Sequence, residues 1–192
     1  MTPAKHKVVL ARHGETAWSK AWKHTSHTDV ALTEHGRAEA AALAPALAHW
    51  APALVLSSPL VRALETCRIA GLGDRVVLDP DLVEWDYGVY EGVTTAEIRQ
   101  TVPGWTVFSH PSPGGETVQQ VSRRVDRVIA RARGAAGDVV IFAHGHVLRV
   151  LTARWLGLDP LMAKHFVLST GTISVLGWER DTPALERWNA SA

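Results

Sequence analysis

Lys7-Val8-Val9-Leu10-Ala11 runs straight into Arg12-His13-Gly14-Glu15-Thr16. The apolar half lacks the polar alternation of a half-wet strand, so Lys7 to Ala11 reads as a strand buried on both faces. Three further runs share that character: Leu54 to Ser57, Arg75 to Leu78 and Val139 to Ala143. Helical patterns fill the intervals. Thr33 is the N-cap expected for Glu34 to His49, which Pro45 should end or kink. Leu60, Leu64 and Cys67 mark a helix over Leu60 to Ala70, closed by Gly71. Val118, Val121, Val125, Val128 and Ile129 form the apolar stripe of a helix over Glu116 to Arg133. Val147 to Leu156 is a further helix, stopped at Gly157. Ile173 to Trp178 and Leu185 to Trp188 read as late strands joined through a turn around Asp181-Thr182-Pro183.

Strand and helix in alternation predict an α/β fold: a three-layer α/β/α sandwich around a mostly parallel sheet. No repeat or linker divides the chain, so residues 1–192 are read as a single domain. The Pro/Gly/Ser-rich stretch from Gly104 to Gly115 is expected to be a lid or a connection.

With 192 residues, 46% apolar and 20% charged, the composition is that of a globular protein with a full core. A disordered tail, a collagen-like fibre and a supercharged nucleic-acid binder are excluded as the whole answer. Lys plus Arg number 20 against 19 for Asp plus Glu, so no net field steers a partner. Fifteen of those cations are Arg, which favours forked recognition of carboxylate or phosphate. The lone Cys67 cannot form an internal disulfide and reads as a small core residue. Met1 to Lys7 is followed by only four apolar residues, Val8 to Ala11, too few for a secretory leader. The longest other candidate span, Ala40 to Leu56, is broken by Pro45, His49 and Pro52. A soluble, cytoplasmic protein with no membrane partner is expected.

In open parallel sheets, ligands lie beyond the carboxyl ends of the strands. Four successive strands end there in polar groups: Arg12-His13-Gly14, Ser57-Ser58-Pro59 with Arg62 just after, Glu84 to Gly88, and His144-Gly145-His146. Two His, two Arg and one Glu are the parts for phosphoryl transfer without a metal. Arg12 and Arg62 can each fork onto a phosphate dianion. His13 is a nucleophile if neutral, and the guanidinium groups beside it disfavour its charged form. His144 can donate to phosphoryl oxygens. Glu84 can protonate the leaving alkoxide and later return as base. Gly14 would allow a tight turn and close approach of backbone N–H groups to the anion.

Arg12-His13-Gly14-Glu15-Thr16, Leu32-Thr33-x-x-Gly36, Ser58-Pro59-Leu60-x-Arg62 and His144-Gly145 together resemble the histidine phosphatase (phosphoglycerate mutase-like) superfamily. The resemblance runs from Val8 to about Trp178. It implies His13 as the phosphorylated nucleophile, Arg12, Arg62 and His144 as the phosphate pocket, and Glu84 as proton donor. Gly14, Ser19, Thr25, Ser26, Tyr87, Gly145 and His146 are the candidate substrate-binding residues, the substrate is expected to be a small phosphorylated metabolite, and no metal or cofactor is expected. The run Glu84 to Gly92 and the run Phe142 to His146 look most like acid phosphatase and sugar-bisphosphatase relatives. A mutase of this family carries a longer Lys- and Arg-rich insertion after the glutamate. Thr94 to Pro113 has only Arg99 besides His110, which favours a phosphatase and leaves a bisphosphoglycerate-dependent mutase as the alternative. A silent phosphate-binding module is the third reading. Two positions depart from the family: Ser19 where many relatives have Asn, and Thr25-Ser26 where they have Thr-Gly.

The remaining signals read more plainly. His24 and His27 lack the companions of a metal site. Arg123, Arg124, Arg127, Arg131 and Arg133, with Asp126 among them, are expected to form a solvated helix face rather than a nucleic-acid surface. His146 either touches substrate or caps the helix that follows. Trp18, Trp22, Trp85 and Trp105 fall where they could border the pocket. The sheet edge after Trp178 is a candidate for pairing with a second subunit.

Overall fold

Among the described residues, six strands form one sheet in the order β3-β2-β4-β1-β5-β6. The computed structural model describes residues 5–191, so Met1 to Ala4 of the leader reading lie outside them. Val8–Arg12 (β1), Leu54–Ser57 (β2), Val76–Leu78 (β3) and Val139–Ala143 (β4) run parallel to their neighbours among these four. Thr172–Glu179 (β5) and Thr182–Ser191 (β6) add an antiparallel hairpin beside β1. The helices are Ala17–Lys20 (α1), Glu34–Leu47 (α2), Val61–Ile69 (α3), Thr95–Thr101 (α4), Val118–Arg133 (α5) and Gly145–Trp155 (α6).

The strand side chains divide between two cores, as alternation across a pleat requires. Val8, Leu10, Leu56, Val139 and Ile141 meet α5 and α6 on one face. Val9, Ala11, Val55, Val140 and Phe142 meet Leu43 and Leu47 of α2 and Cys67 of α3 on the other. Every residue of β4 is buried, the signature of a central strand covered on both sides. Each Val, Leu, Ile or Phe among them contributes roughly 1.5–3 kcal/mol by leaving water. The three-layer expectation is borne out.

Several boundaries differ for physical reasons. Strand β1 runs one residue further than read, so Arg12 is its last residue. Helix α2 passes through Pro45 and ends at Leu47. Pro45 sits on the exposed side near the end, where water can take the carbonyl it leaves without a donor. Helix α6 begins at Gly145, two residues early, with His144 at its N-cap. The last strand is longer, and its hairpin turns at Arg180-Asp181, with Arg180 at a φ of 54°. The Gly104 to Gly115 stretch holds no regular element, yet Trp105, Val107 and Phe108 are buried beneath it. It is anchored by its aromatic residues.

The Thr33-x-x-Gly36 motif has a packing cause. Thr33 Oγ1 caps α2 by accepting from Gly36 N at 3.0 Å. A Cβ on Gly36 would stand 2.1 Å from the Glu15 carbonyl oxygen, and one on Gly14 would stand 2.1 Å from that of Gly36. Two backbones touch where no side chain fits. Gly36→Ala is therefore expected to destabilise the fold by about 1–3 kcal/mol, read as a fall of several degrees in thermal unfolding. An unchanged Tm would contradict the contact.

Candidate active site

Sheet register places the first cluster. Arg12 pairs with Ala143 across β1 and β4, and Ser57 with Phe142 across β2 and β4. His13 N and Ser58 N continue the ladders to Ala143 O and Phe142 O. His13, Ser58 and His144 thus emerge side by side at one edge. The two imidazole centroids are 5.1 Å apart.

His13 Nδ1 lies 2.7 Å from the Gly14 carbonyl oxygen, which can only accept. The proton therefore sits on Nδ1, and Nε2 keeps its lone pair. Burial holds the ring's pKa well below the usual imidazole range, and the charges of Arg12 and Arg62 push the same way. Burial likewise holds His144 low, with Arg62 next in effect.

Arg62 is fully buried on α3. Its Nε donates to His144 Nδ1 at 3.1 Å, so the proton of that ring is on Nε2, donated to Ser58 Oγ at 2.8 Å. The remaining guanidinium nitrogens donate to the carbonyls of Thr25, Ser26 and Thr28. Glu91 holds that loop by accepting from Ser26 N and Thr28 N. Arg12 donates from Nη1 to the Leu168 carbonyl, while its buried Nε has no partner. That is a cationic donor left open in a dry place.

Glu84 approaches from the other side. Its Oε1 accepts from Trp85 N at 2.9 Å and Val147 N at 2.8 Å, and Oε2 accepts from His146 N at 2.9 Å. Two of these donors open α6, the end of a helix that favours an acidic group. A proton carried by Glu84 must then sit on Oε2, the oxygen with capacity to spare. A Cβ on Gly145 would lie 3.4 Å from Arg12 Cζ and 3.6 Å from Glu84 Oε2, in ordinary contact with both, so the start of α6 borders the two charged groups.

Beyond Glu84, the Tyr87 hydroxyl and His146 Nδ1 are 2.6 Å apart, and the His24 ring packs tilted against that of Tyr87, centroids 4.7 Å apart. Trp105 meets His24 edge-on and Phe108 meets His146. Burial pushes Tyr87 well above its ordinary value, His146 well below, and His24 down to about 4. The wall is aromatic and uncharged near neutral pH.

Arg12, His13, Arg62, Glu84, Tyr87, His144, Gly145 and His146 are thus brought together. Others are placed differently from the sequence reading. Gly14 N donates to Thr66 Oγ1 rather than facing an anion. Ser19 Oγ bonds both the N–H and the carbonyl of Thr16, closing the cap of α1. Thr25 Oγ1 turns to the Lys23 carbonyl, so Thr25 and Ser26 act through their backbone oxygens on Arg62. Ser26 is not among the residues with positive φ, so serine fits there without backbone cost. His146 is inside α6 and does not cap it. His24 reaches Thr95 Oγ1 and His27 reaches Asp86, in separate surroundings. Trp85 and Trp105 belong to the core, while Trp22 is 84% exposed.

Sequence reasoning missed Ser58, Glu91, Glu116 and Arg124. Ser58 had a signal, since it opens the Ser-Pro-Leu-x-Arg motif. Arg124 corrects the solvated-face reading: it is 6% exposed, because it lies on the stripe between Val121 and Val128.

Neutral buried imidazoles carry a stability consequence. His13, His144 and His146 hold their pKa well below 6.5 in the folded protein, so the unfolded chain binds more protons as pH falls. Their contribution is complete above about pH 6.5 and declines below it, by about 1.4 kcal/mol per pH unit for each ring that stays neutral. Denaturant unfolding is expected to show lower stability at pH 5.5 than at pH 7.5. A stability that is flat or rises on acidification would contradict the burial of these rings as bases.

A family model described as the histidine phosphatase superfamily (branch 1) matches residues 8–191. An acid phosphatase of Mycobacterium tuberculosis is 40% identical over 178 residues, covering 91% of this chain and 87% of that one. Sedoheptulose 1,7-bisphosphatase of Saccharomyces cerevisiae is 34% identical over 184 residues, covering 79% and 68%. The solved structure of a Mycobacterium tuberculosis open reading frame product superposes with a TM-score of 0.93 at 37% identity, covering 98% of this chain and 99% of that one. The chain belongs to the histidine phosphatase superfamily, branch 1. It is a phosphoric monoester hydrolase. Among the described residues, no helix is long and apolar enough to cross a membrane.

Proposed function

We propose that the protein hydrolyses small phosphomonoesters, sugar phosphates or related metabolites, through a phosphohistidine on His13, without a metal or cofactor. In the first step His13 Nε2 attacks phosphorus, the bond from phosphorus to the alcohol oxygen breaks, and that oxygen takes the proton from Glu84 Oε2. Arg12 Nε and Arg62 offset the charge on the phosphoryl oxygens, and His144 Nε2–H can turn from Ser58 to a phosphoryl oxygen. In the second step water attacks phosphorus, Glu84 takes its proton, the bond from phosphorus to nitrogen breaks, and orthophosphate leaves.

The observation that carries this reading is the partnerless Nε of buried Arg12, close to a histidine whose lone pair is kept free. A desolvated donor without an acceptor costs about 1–3 kcal/mol, more when charged, and an anion removes that cost. The rings of His24, Tyr87 and His146 are uncharged, and Arg149, the cation beside them, lies over the Phe108 ring and donates to the carbonyls of Ala163 and Lys164; with only Arg99 besides His110 in Thr94 to Pro113, this supports a phosphatase over a phosphoglycerate mutase. A single buried thiol, Cys67, agrees with a cytoplasmic setting. The test is a panel of small monoesters, with and without EDTA. Orthophosphate release that EDTA leaves unchanged is expected. Interconversion of phosphoglycerates without release, or activity restored only by added metal, would overturn the reading.

A further inference from the structure

We propose that Arg124 and Glu116 form a positioning brace for Glu84. The proposal rests on Glu84 being the proton donor. Arg124 sits on α5 and spends all five N–H groups within one neighbourhood. Nε and Nη2 reach the two carboxylate oxygens of Glu116 at 2.9 Å each. Nη1 donates to the carbonyls of Asp81 at 2.7 Å and Val83 at 2.6 Å, and Nη2 also donates to that of Glu84 at 3.1 Å. Glu116 completes the grip: its Oε2 accepts from Asp86 N at 3.0 Å and its carbonyl accepts from Trp85 Nε1 at 2.9 Å.

Every one of these contacts outside the ion pair falls on residues 81–86, on both sides of Glu84. An arginine that only tied α5 to the sheet would have no reason to select the carbonyls flanking one carboxylate. The tip of Glu84 is held separately, by the backbone N–H groups of Trp85, His146 and Val147. The brace thus sets the root of the side chain and α6 sets its tip, which aims Oε2 at one point. Neither Arg124 nor Glu116 hydrogen-bonds to Arg12, His13, Arg62 or His144, and the charge of Arg124 is only a minor influence on His144. The effect of the brace passes mainly through Glu84, where a displacement of about 1 Å is enough to cost on the order of 100-fold in rate.

The experiment compares Arg124→Lys and Glu116→Gln with wild type on two substrates. One is an alkyl monoester, whose alkoxide must be protonated to leave. The other is p-nitrophenyl phosphate, whose phenolate leaves without a proton. Their kcat/KM values report steps up to alcohol release. The brace predicts a fall of about 10- to 100-fold for the alkyl ester and less than about threefold for the aryl ester in both variants. Lysine keeps the charge and Gln keeps an acceptor for Asp86 N, so both variants should fold, and near-UV circular dichroism checks it. Equal loss on both substrates, or no loss on either, overturns the brace; so does failure of both variants to fold, which would make the pair a purely structural tie. Glu84→Gln is the control. If it shows no dependence on leaving group, the proton-donor assignment itself falls, and the brace with it.

Discussion

His13→Ala is expected to lower kcat/KM for every phosphomonoester by at least about 10⁴-fold, because it removes the only imidazole in the cluster with a free lone pair. His144 cannot substitute. Its Nδ1 accepts from Arg62 and its Nε2 carries the proton. The variant leaves the Gly14 carbonyl without its donor, at a cost of about 1–3 kcal/mol, small beside the stability of a domain of this size. Circular dichroism should show the fold retained while turnover vanishes. A folded variant with a tenth of wild-type activity would remove His13 from the nucleophile's role.

Glu84→Gln has the second largest expected effect, and its signature is selective. The amide keeps the shape of the side chain and has no proton of suitable acidity to give. For an alkyl phosphate, kcat/KM should fall by about 10²- to 10⁴-fold. For p-nitrophenyl phosphate it should fall by less than about tenfold, since the leaving oxygen needs no proton. The kcat values should fall together on both substrates, because the proposed mechanism uses the same residue as the base that frees the phosphoenzyme. Equal kcat/KM losses on the two esters would contradict the acid role.

The sheet was legible because buried parallel strands write themselves as unbroken apolar runs, and Lys7 to Ala11 and Val139 to Ala143 are such runs. Their carboxyl ends brought the five main site residues into view, since fold class fixes where ligands lie. Side-chain partners were not legible. Ser19 looked like a phosphate donor, yet its hydroxyl closes a helix cap, a choice made by three residues of local geometry. Gly14 looked like an anion-binding turn, whereas its missing side chain makes room for Gly36, which lies far along the chain. Helix α6 begins two residues before its apolar pattern does, and that moved His146 from a cap to the wall beside Glu84. Arg124 reads as a surface charge because a run of arginines suggests water. Its place on the stripe between Val121 and Val128 was visible, but the five acceptors that make burial tolerable come from residues 81–84 and 116. Partners distant in sequence decide such cases.

The covalent intermediate is the most direct thing to measure. Mixing enzyme with a substrate labelled in its phosphoryl group, quenching in alkali within milliseconds and mapping the label should find it on the peptide holding His13, bound to the ring nitrogen Nε2. The Glu84→Gln enzyme should accumulate more of it with the aryl ester, as its hydrolysis slows. Label on another side chain, or turnover that proceeds with no labelled protein in either enzyme, would contradict the account.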